Sequence, residues 1–301
     1  MAAWFDTATN GAAGGNRVDW VRCVPFVAVH LMCGLAFFTG ASPVAVAVAV
    51  GLYLLRMFAI TAFYHRYFSH RTFKTSRPFQ FAMALLGNMA VQRGPIWWAA
   101  HHRHHHLHAD RPEDLHSPLQ HGFWRSHMGW FMTGAGFETQ ARYVPDLLAF
   151  PELRWLDRFD WVGPVALLAG LAAAGGALGA WAPGLGTSAA QLVVWGFVVS
   201  TVATWHGTYT INSLAHVWGS RRFETADTSR NNLWLALLTL GEGWHNNHHH
   251  HQASARQGFY WWEVDLAYYG LRLLALLGLV WDLRPVPAAV LERNRLQPAA
   301  S

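Results

Sequence analysis

The sequence predicts an all-α integral membrane protein: four transmembrane helices in two hairpins, with a cytoplasmic helical cap. Three observations predict it. Four stretches stay apolar for roughly 20 residues, the length a helix needs to cross a bilayer. Charged residues make up 13% of the 301 residues, against about a quarter in a soluble domain. The chain holds 17 Trp, whose amphipathic ring favours the boundary between lipid and water.

Residues 1–20 are polar and rich in Gly and Ala, without the charged-then-apolar pattern of a leader. They read as a flexible tail. Span one covers about 21–38 and holds Cys23 and Cys33, whose spacing matches no metal or redox motif. A Gly-Ala-Ser-Pro turn at 40–43 leads into span two, about 44–63, whose one charge is Arg56. A charge at mid-membrane costs about 2.5–3.5 kcal/mol on insertion scales. Arg56 must therefore pair inside the bundle or reach toward an interface. The apolar run 78–91 is too short to cross and reads as an interfacial or buried helix. Span three, about 161–181, and span four, about 189–211, flank a turn at 182–186. The run 261–280 carries Glu263, Asp265 and Arg272 and reads as a helix of the cap, partly in the interface. Residues 21–285 make one domain, and 286–301 read as a C-terminal tail.

Charge placement gives the orientation. Of the 22 basic residues, Arg17 precedes span one and Arg22 stands at its start, Arg56 lies within span two, eleven lie between spans two and three, and eight follow span four. Neither outer turn has any. Excess Arg and Lys marks the cytoplasmic side, so both termini and the long middle segment are expected there. No basic run or cationic helix face points to a nucleic-acid partner.

Histidine carries the chemistry. His65 and His70 sit in HRYFSH, His102, His105 and His106 in HRHHH, and His245, His248 and His249 in HNNHH. His216, in NSLAH, stands alone. All nine fall on the expected cytoplasmic side. Residues i, i+3 and i+4 share a helix face, so each trio can offer its imidazoles to one point. His65 and His70, five apart, fit a helix end instead. Asn212 lies one turn before His216 and is placed to hold a water or an outer contact. His30, His121, His127 and His206 read as packed residues, and His101, His104, His250 and His251 as neighbours of the trios. A structural zinc takes four ligands, so nine histidines ask for two metals. Imidazole suits iron, zinc, copper and nickel. Two irons would each take four or five of these histidines and keep a position open for oxygen, whereas zinc has no redox chemistry. No catalytic residue is expected beyond the ligands.

The strings HRYFSHRTFK, HHRHHHLHADRPEDLHSP followed by GFWRSHMGW, NSLAH and GEGWHNNHH resemble the membrane acyl-CoA desaturases, the stearoyl-CoA Δ9-desaturase type of the membrane fatty acid desaturase superfamily. The resemblance implies a mushroom-like fold whose cytoplasmic cap holds two irons on the nine histidines, with Asn212 reaching one iron through water. It implies a bent acyl tunnel, lined at the bend by Gln92, Trp98 and Thr208. The implied reaction uses O2 and two electrons to remove two hydrogens from adjacent carbons of a saturated acyl chain, with Δ9 the preferred position and CoA the preferred head group. Two departures weigh on the head group: Ala100-His101 replaces an Arg-Asp pair, and Thr133-Gly134-Ala135 replaces a basic pair. An acyl lipid or a carrier-bound acyl chain is the alternative. With no cytochrome domain in the chain, electrons are expected from a separate ferredoxin or small cytochrome with its reductase, which the basic cytoplasmic face would suit. Arg outnumbers Lys 21 to one, a bias associated with high-GC bacteria and so with a bacterial plasma membrane. Two rivals make other predictions. A hydroxylase or alkane monooxygenase of the same superfamily would yield no alkene. A non-enzymatic membrane metal-binding protein would line its spans with ligands, yet these hold only His30 and His206.

Overall fold

The computed structural model describes residues 2–7 and 15–296. Parts of both expected tails, residues 1, 8–14 and 297–301, lie outside the described residues. Among the described residues, four helices are long and apolar enough to cross a membrane: span one, Trp20–Thr39; span two, Pro43–Ser69; span three, Val162–Trp181; and span four, Ala189–Val217. Their starts have local causes. Asp19 accepts from the Arg22 N–H at 3.2 Å ahead of span one. Ser42 accepts from the Ala45 N–H at 3.1 Å, with Pro43 in the first turn of span two. Ser188 and Gln191 form a capping box at span four. Each satisfies N–H groups that a helix start leaves unpaired. Span three has no side-chain cap. Its Gly163 N–H donates instead to Asn88 Oδ1 at 2.9 Å.

Spans two and four run past their expected ends. Span two changes from α to π winding at Ala59 and keeps it to Ser69. Span four is π-wound over Leu192–Val199, returns to α at Ser200, and breaks at Ser213 before a last turn at Leu214–Val217. Span four packs on both span two and span three. Span one lies against span four and is the least covered of the four. At one end the two turns are tied together. Ser42 Oγ meets Thr187 Oγ1 at 2.8 Å, and Trp195 Nε1 donates to Gly40 O at 2.8 Å. Inside, Arg56 pairs within the bundle rather than reaching an interface, donating to backbone and hydroxyl oxygens.

Beyond the other ends of spans two and four lies a helical body. It comprises α1 (Arg77–Asn88), α2 (Pro95–His108), α3 (Pro151–Arg158), α4 (Leu233–Leu238), α5 (His245–His250) and α6 (Leu266–Leu276), with several shorter turns. Its core joins Phe63, Tyr64 and Phe68 of span two to Ala84 of α1, Ile96 and Ala100 of α2, and Leu153 and Leu156 of α3, all buried. A two-stranded antiparallel ladder, β1 (Lys74–Thr75) with β2 (Val280–Trp281), pairs Lys74 with Trp281 and Thr75 with Val280. The apolar run 261–280 yields only the 11 residues of α6, about 16 Å of helix, which is far short of a bilayer core. Asp265 starts it by accepting from the Tyr268 N–H at 2.9 Å. Described residues of both tails make individual contacts with the rest of the chain. Trp161 Nε1 donates to Phe5 O at 2.8 Å, and Arg158 pairs with Asp6 at 2.7 Å. Leu296 N–H donates to Arg222 O at 2.8 Å, and Val290 is buried.

Candidate metal centre

Four elements bring the histidines together. The π winding of span two carries His65 and ends at Ser69, with His70 as the residue that closes it. A π turn spans more residues than an α turn, so two residues five apart come round together, and these rings lie 4.9 Å apart. Helix α2 carries His102, His105 and His106. Its start is held by Asp157, whose Oδ1 accepts from the N–H groups of Ile96 (3.1 Å) and Trp97 (2.8 Å). Helix α5 carries His245, His248 and His249. His216 sits in the last turn of span four, past the break at Ser213.

The nine side chains form two groups. His65, His70, His102, His106 and His248 make the first, and His105, His216, His245 and His249 the second. Within each group the candidate ligand atoms lie within 4.8 Å of one another. The trios therefore do not each serve one point, as their spacing suggested. Each splits: the i,i+4 pairs His102/His106 and His245/His249 stay together, while His105 and His248 join the other group. At about 100° per residue the i+4 side chain returns within about 40° of its start, and the i+3 side chain falls about 60° to the other side. Each helix thus serves both groups.

The first group fits a metal and does not fit a hydrogen-bond network. Nε2 contacts run in a chain: His70 to His102 at 2.8 Å, His102 to His106 at 2.9 Å, His106 to His248 at 2.9 Å, and His248 to His65 at 3.0 Å. A ring nitrogen has one in-plane direction, for a proton or for a lone pair. It cannot satisfy two such neighbours at once, as His102, His106 and His248 would have to. Nitrogens bound at 2.0–2.1 Å and at right angles around one metal would stand about 2.8–3.0 Å apart. In the second group His216 and His245 face each other Nε2 to Nε2 at 3.2 Å, and His249 Nε2 is buried without a hydrogen-bond partner.

The rear nitrogens meet carboxylates. His105 Nδ1 is 2.9 Å from Asp114, His249 Nδ1 is 2.8 Å from Asp227, and His216 Nδ1 is 3.3 Å from Asp110. His65 Nδ1 contacts Glu242, which shares Arg66 with Asp265. Such partners fix the imidazole tautomer and orientation at metal sites. Burial, then the neighbouring imidazoles, push His70, His102, His106, His245 and His248 well below the usual histidine range. They stay neutral, as metal binding requires. His105 goes the other way: burial lowers it, but Asp114 lifts it above its ordinary value. Burial works against ionisation of Asp110, Asp114 and Asp227, yet their histidine contacts hold all three well below the usual carboxylate range.

These acidic partners were missed in the sequence. The signal was present: Asp110 and Asp114 lie in HADRPEDLH, and Glu242 in GEGWH. His116 was missed as well. It is buried, with Nδ1 3.7 Å from Asp114 and its ring 4.4 Å from that of His105. The histidines set aside lie outside both groups. His30, His206 and His127 form a row at 3.1 and 3.0 Å. His101, His121 and His250 each face a backbone carbonyl.

A cavity of about 470 Å³ reaches the first group. Its walls include Phe26 and Val29 of span one, Pro164 of span three, Phe197 and Trp205 of span four, and Gln92, Trp98, His102, His116 and Asn212. Gln92, Trp98 and Thr208 do come together: Gln92 Nε2 donates to Thr208 Oγ1 at 3.0 Å, and Trp98 Nε1 donates to Gln92 Oε1 at 3.4 Å. A small cavity of about 40 Å³ continues past them, between Met57 and Ile60 of span two and the histidines His65, His105 and His245.

Comparison with known proteins agrees with this picture. The fatty acid desaturase family model matches residues 41–282. The chain is 34% identical to an sn-2 palmitoyl-lipid 9-desaturase of Nostoc sp. (strain 36), over 93% of this chain and 95% of that protein. It is 38% identical to Delta-9 acyl-lipid desaturase 1 of Arabidopsis thaliana, over 89% and 84%. It is 37% identical to acyl-CoA 5-desaturase AL21 of Anemone leveillei, over 93% and 83%. A histidine-rich helical body on four apolar helices, matched over this length, places the chain in the fatty acid desaturase family of oxidoreductases.

Proposed function

We propose that the protein is an O2-dependent desaturase that puts a cis double bond at position 9 of a saturated fatty acyl chain. The observation that carries this reading is the apolar cavity that begins among the spans and ends against His102, with both histidine groups behind it. In this reading His65, His70, His102, His106 and His248 hold one iron, and His105, His216, His245 and His249 the other. Asn212 would reach one of the two irons through a water molecule. Bound iron supplies the two-electron oxidation with O2: –CH2–CH2–, O2, two electrons and two protons give –CH=CH– and two water molecules.

The chain's own residues do the positioning. Cavity walls of Phe26, Val29, Phe197 and Trp205 take an extended acyl chain and keep water out. The Gln92–Thr208–Trp98 cluster bends the chain where it passes His102, which selects a bent, cis product and the carbon that reacts. Asp110, Asp114, Asp227 and Glu242 hold the imidazoles in register.

For the head group we place a membrane lipid ahead of CoA. The two cations in the cavity wall are already committed: Arg93 pairs with Asp160 at 2.6 Å, and Arg22 with Asp19 at 3.4 Å. The phosphates of CoA would need free ones. A cavity walled by three spans suits a chain entering from the bilayer, and two of the relatives named above are acyl-lipid desaturases. Electrons come from a separate ferredoxin or small cytochrome, with the histidine body on the cytoplasmic side of a bacterial plasma membrane.

The test is expression in a host that makes no unsaturated fatty acids, with mass spectrometry of double-bond position in each lipid class. A cis alkene at carbon 9 in glycerolipid is expected, and none from the His105→Ala or His248→Ala variants. A hydroxylated chain without an alkene would refute the reading.

A further inference from the structure

We infer that Arg56 is a positioning residue that sets which carbon of the acyl chain reacts, by anchoring the strained segment 89–93 that forms the bend of the cavity. The inference rests on the desaturase reading above. It concerns a residue that contacts neither histidine group.

Arg56 is fully buried in span two. Among the described residues none of its hydrogen bonds goes to a carboxylate and it forms no salt bridge. Its planar fork of donors reaches three elements. Nε donates to Leu52 O at 3.1 Å, within span two. Nη2 donates to Ser200 Oγ at 2.5 Å and Nη1 to Thr201 Oγ1 at 2.7 Å, both on span four. Nη1 also donates to Met89 O at 3.2 Å, where α1 ends. An apolar side chain would fill span two without the cost of burying a charge. What it would lose is the link between span four and Met89.

The segment after Met89 needs such a link. Val91 has φ 58° and Arg93 has φ 69°, both left-handed. Side chains rarely adopt this conformation, and a β-branched residue hardly at all. Such backbone persists where its surroundings fix it, and it tends to mark functional sites. Here side chains hold the carbonyls from outside. Arg56 takes Met89 O, and Trp205 Nε1 donates to Ala90 O at 3.0 Å and to Val91 O at 2.9 Å. Asn88 Nδ2 donates to Arg93 O at 3.3 Å. Between the two left-handed residues stands Gln92, bonded to Thr208 and approached by Trp98. The strain and the clamps thus converge on Gln92, the member of the bend cluster that bonds Thr208 and Trp98 beside His102. A residue serving only to fasten span two to span four would need Ser200 and Thr201 but not Met89.

The experiment compares the wild type with Arg56→Gln, Arg56→Lys and Val91→Gly in the same host. It reads double-bond position, turnover per folded protein and iron per chain. Glycine adopts φ 58° without strain, so Val91→Gly loosens the segment and leaves the buried charge in place. A displacement of about 1 Å costs on the order of 100-fold in rate. Arg56→Gln is therefore expected to turn over about 10- to 100-fold more slowly. It should also spread the double bond over neighbouring positions, with iron content unchanged. Arg56→Lys should recover part of the single-position product, and Val91→Gly should spread the product too. Folded, iron-loaded Arg56→Gln that makes the wild-type isomer alone would overturn the inference, even at a lower yield. Should Arg56→Gln fail to accumulate, an unchanged isomer pattern from Val91→Gly overturns it. Wild type that makes no alkene overturns the desaturase reading itself, and this inference with it.

Discussion

An imidazole can bind a metal through one nitrogen only if the other is occupied correctly, so the atom behind each histidine matters as much as the histidine. The two groups differ in this respect. The four-histidine group is backed by Asp110, Asp114 and Asp227, and among the described residues none of these forms a salt bridge with Arg or Lys. The five-histidine group has Glu242 alone, and Glu242 shares Arg66. Buried carboxylates without a cation are costly unless a positive charge sits nearby, and a metal held by the four histidines, as proposed above, would be that charge. Asp227→Asn is expected to weaken metal binding in the four-histidine group about 10- to 100-fold. Iron retained per chain against a graded chelator measures this, and the five-histidine group should keep its metal. Equal retention by variant and wild type would exclude an orienting role for Asp227. The nine histidines were legible because helix spacing and repetition mark them. Their acidic partners were not, because an Asp in a polar loop reads as a turn residue. Asp110, at φ 58°, is indeed in a turn. Only the tertiary fold brings it to His216, 106 residues away.

At the scale of elements, regular helices could be read from apolar runs, and irregular ones could not. A reading based on 3.6 residues per turn has no place for the π winding at Ala59–Ser69. It therefore put the end of span two too early and could only assign His65 and His70 to a helix end. Helix α2 hides a second long-range dependence. It opens on Pro95 with no local cap, and the cap is Asp157, some 60 residues on. Gly94 lies so close to Asp157 that a Cβ would collide with it. Burial pushes the Asp157 carboxyl up to about 6, against the pull of the Trp97 N–H. Between the ordinary value near 3.8 and about 6, the folded state holds a proton that the unfolded state has released. The contribution of Asp157 to stability is thus fully present below about pH 4 and is lost as pH rises through about 6. Asp157→Asn keeps an acceptor oxygen and removes the titration. Its melting temperature in detergent, relative to wild type, should rise from pH 4.5 to pH 7. A difference that stays flat over that range would mean that the carboxyl does not titrate there.

At the scale of the whole molecule, the four spans could be read because a bilayer imposes one length and one composition on each. The membrane side that the histidine body faces rests on a different kind of argument, the distribution of charge. The turns at 40–43 and 182–188 contain no Arg or Lys and touch through Ser42 and Thr187. Nineteen of the 22 basic residues lie in the body segments, eleven before span three and eight after span four. If excess Arg and Lys stays in the cytoplasm, the body, both histidine groups and both termini are inside. Labelling cysteines from outside intact cells tests this. In a Cys23→Ala, Cys33→Ala background, Gly184→Cys places a thiol on the exposed outer turn, where a side chain meets nothing within 4 Å. Glu113→Cys places one on the exposed loop after α2. A membrane-impermeant maleimide should label position 184 in intact cells, and position 113 only after permeabilisation. The reverse pattern would put the histidine groups outside the cell, away from any cytoplasmic electron donor. It would then refute the orientation and the proposed donor together, while leaving the geometry of the two histidine groups untouched.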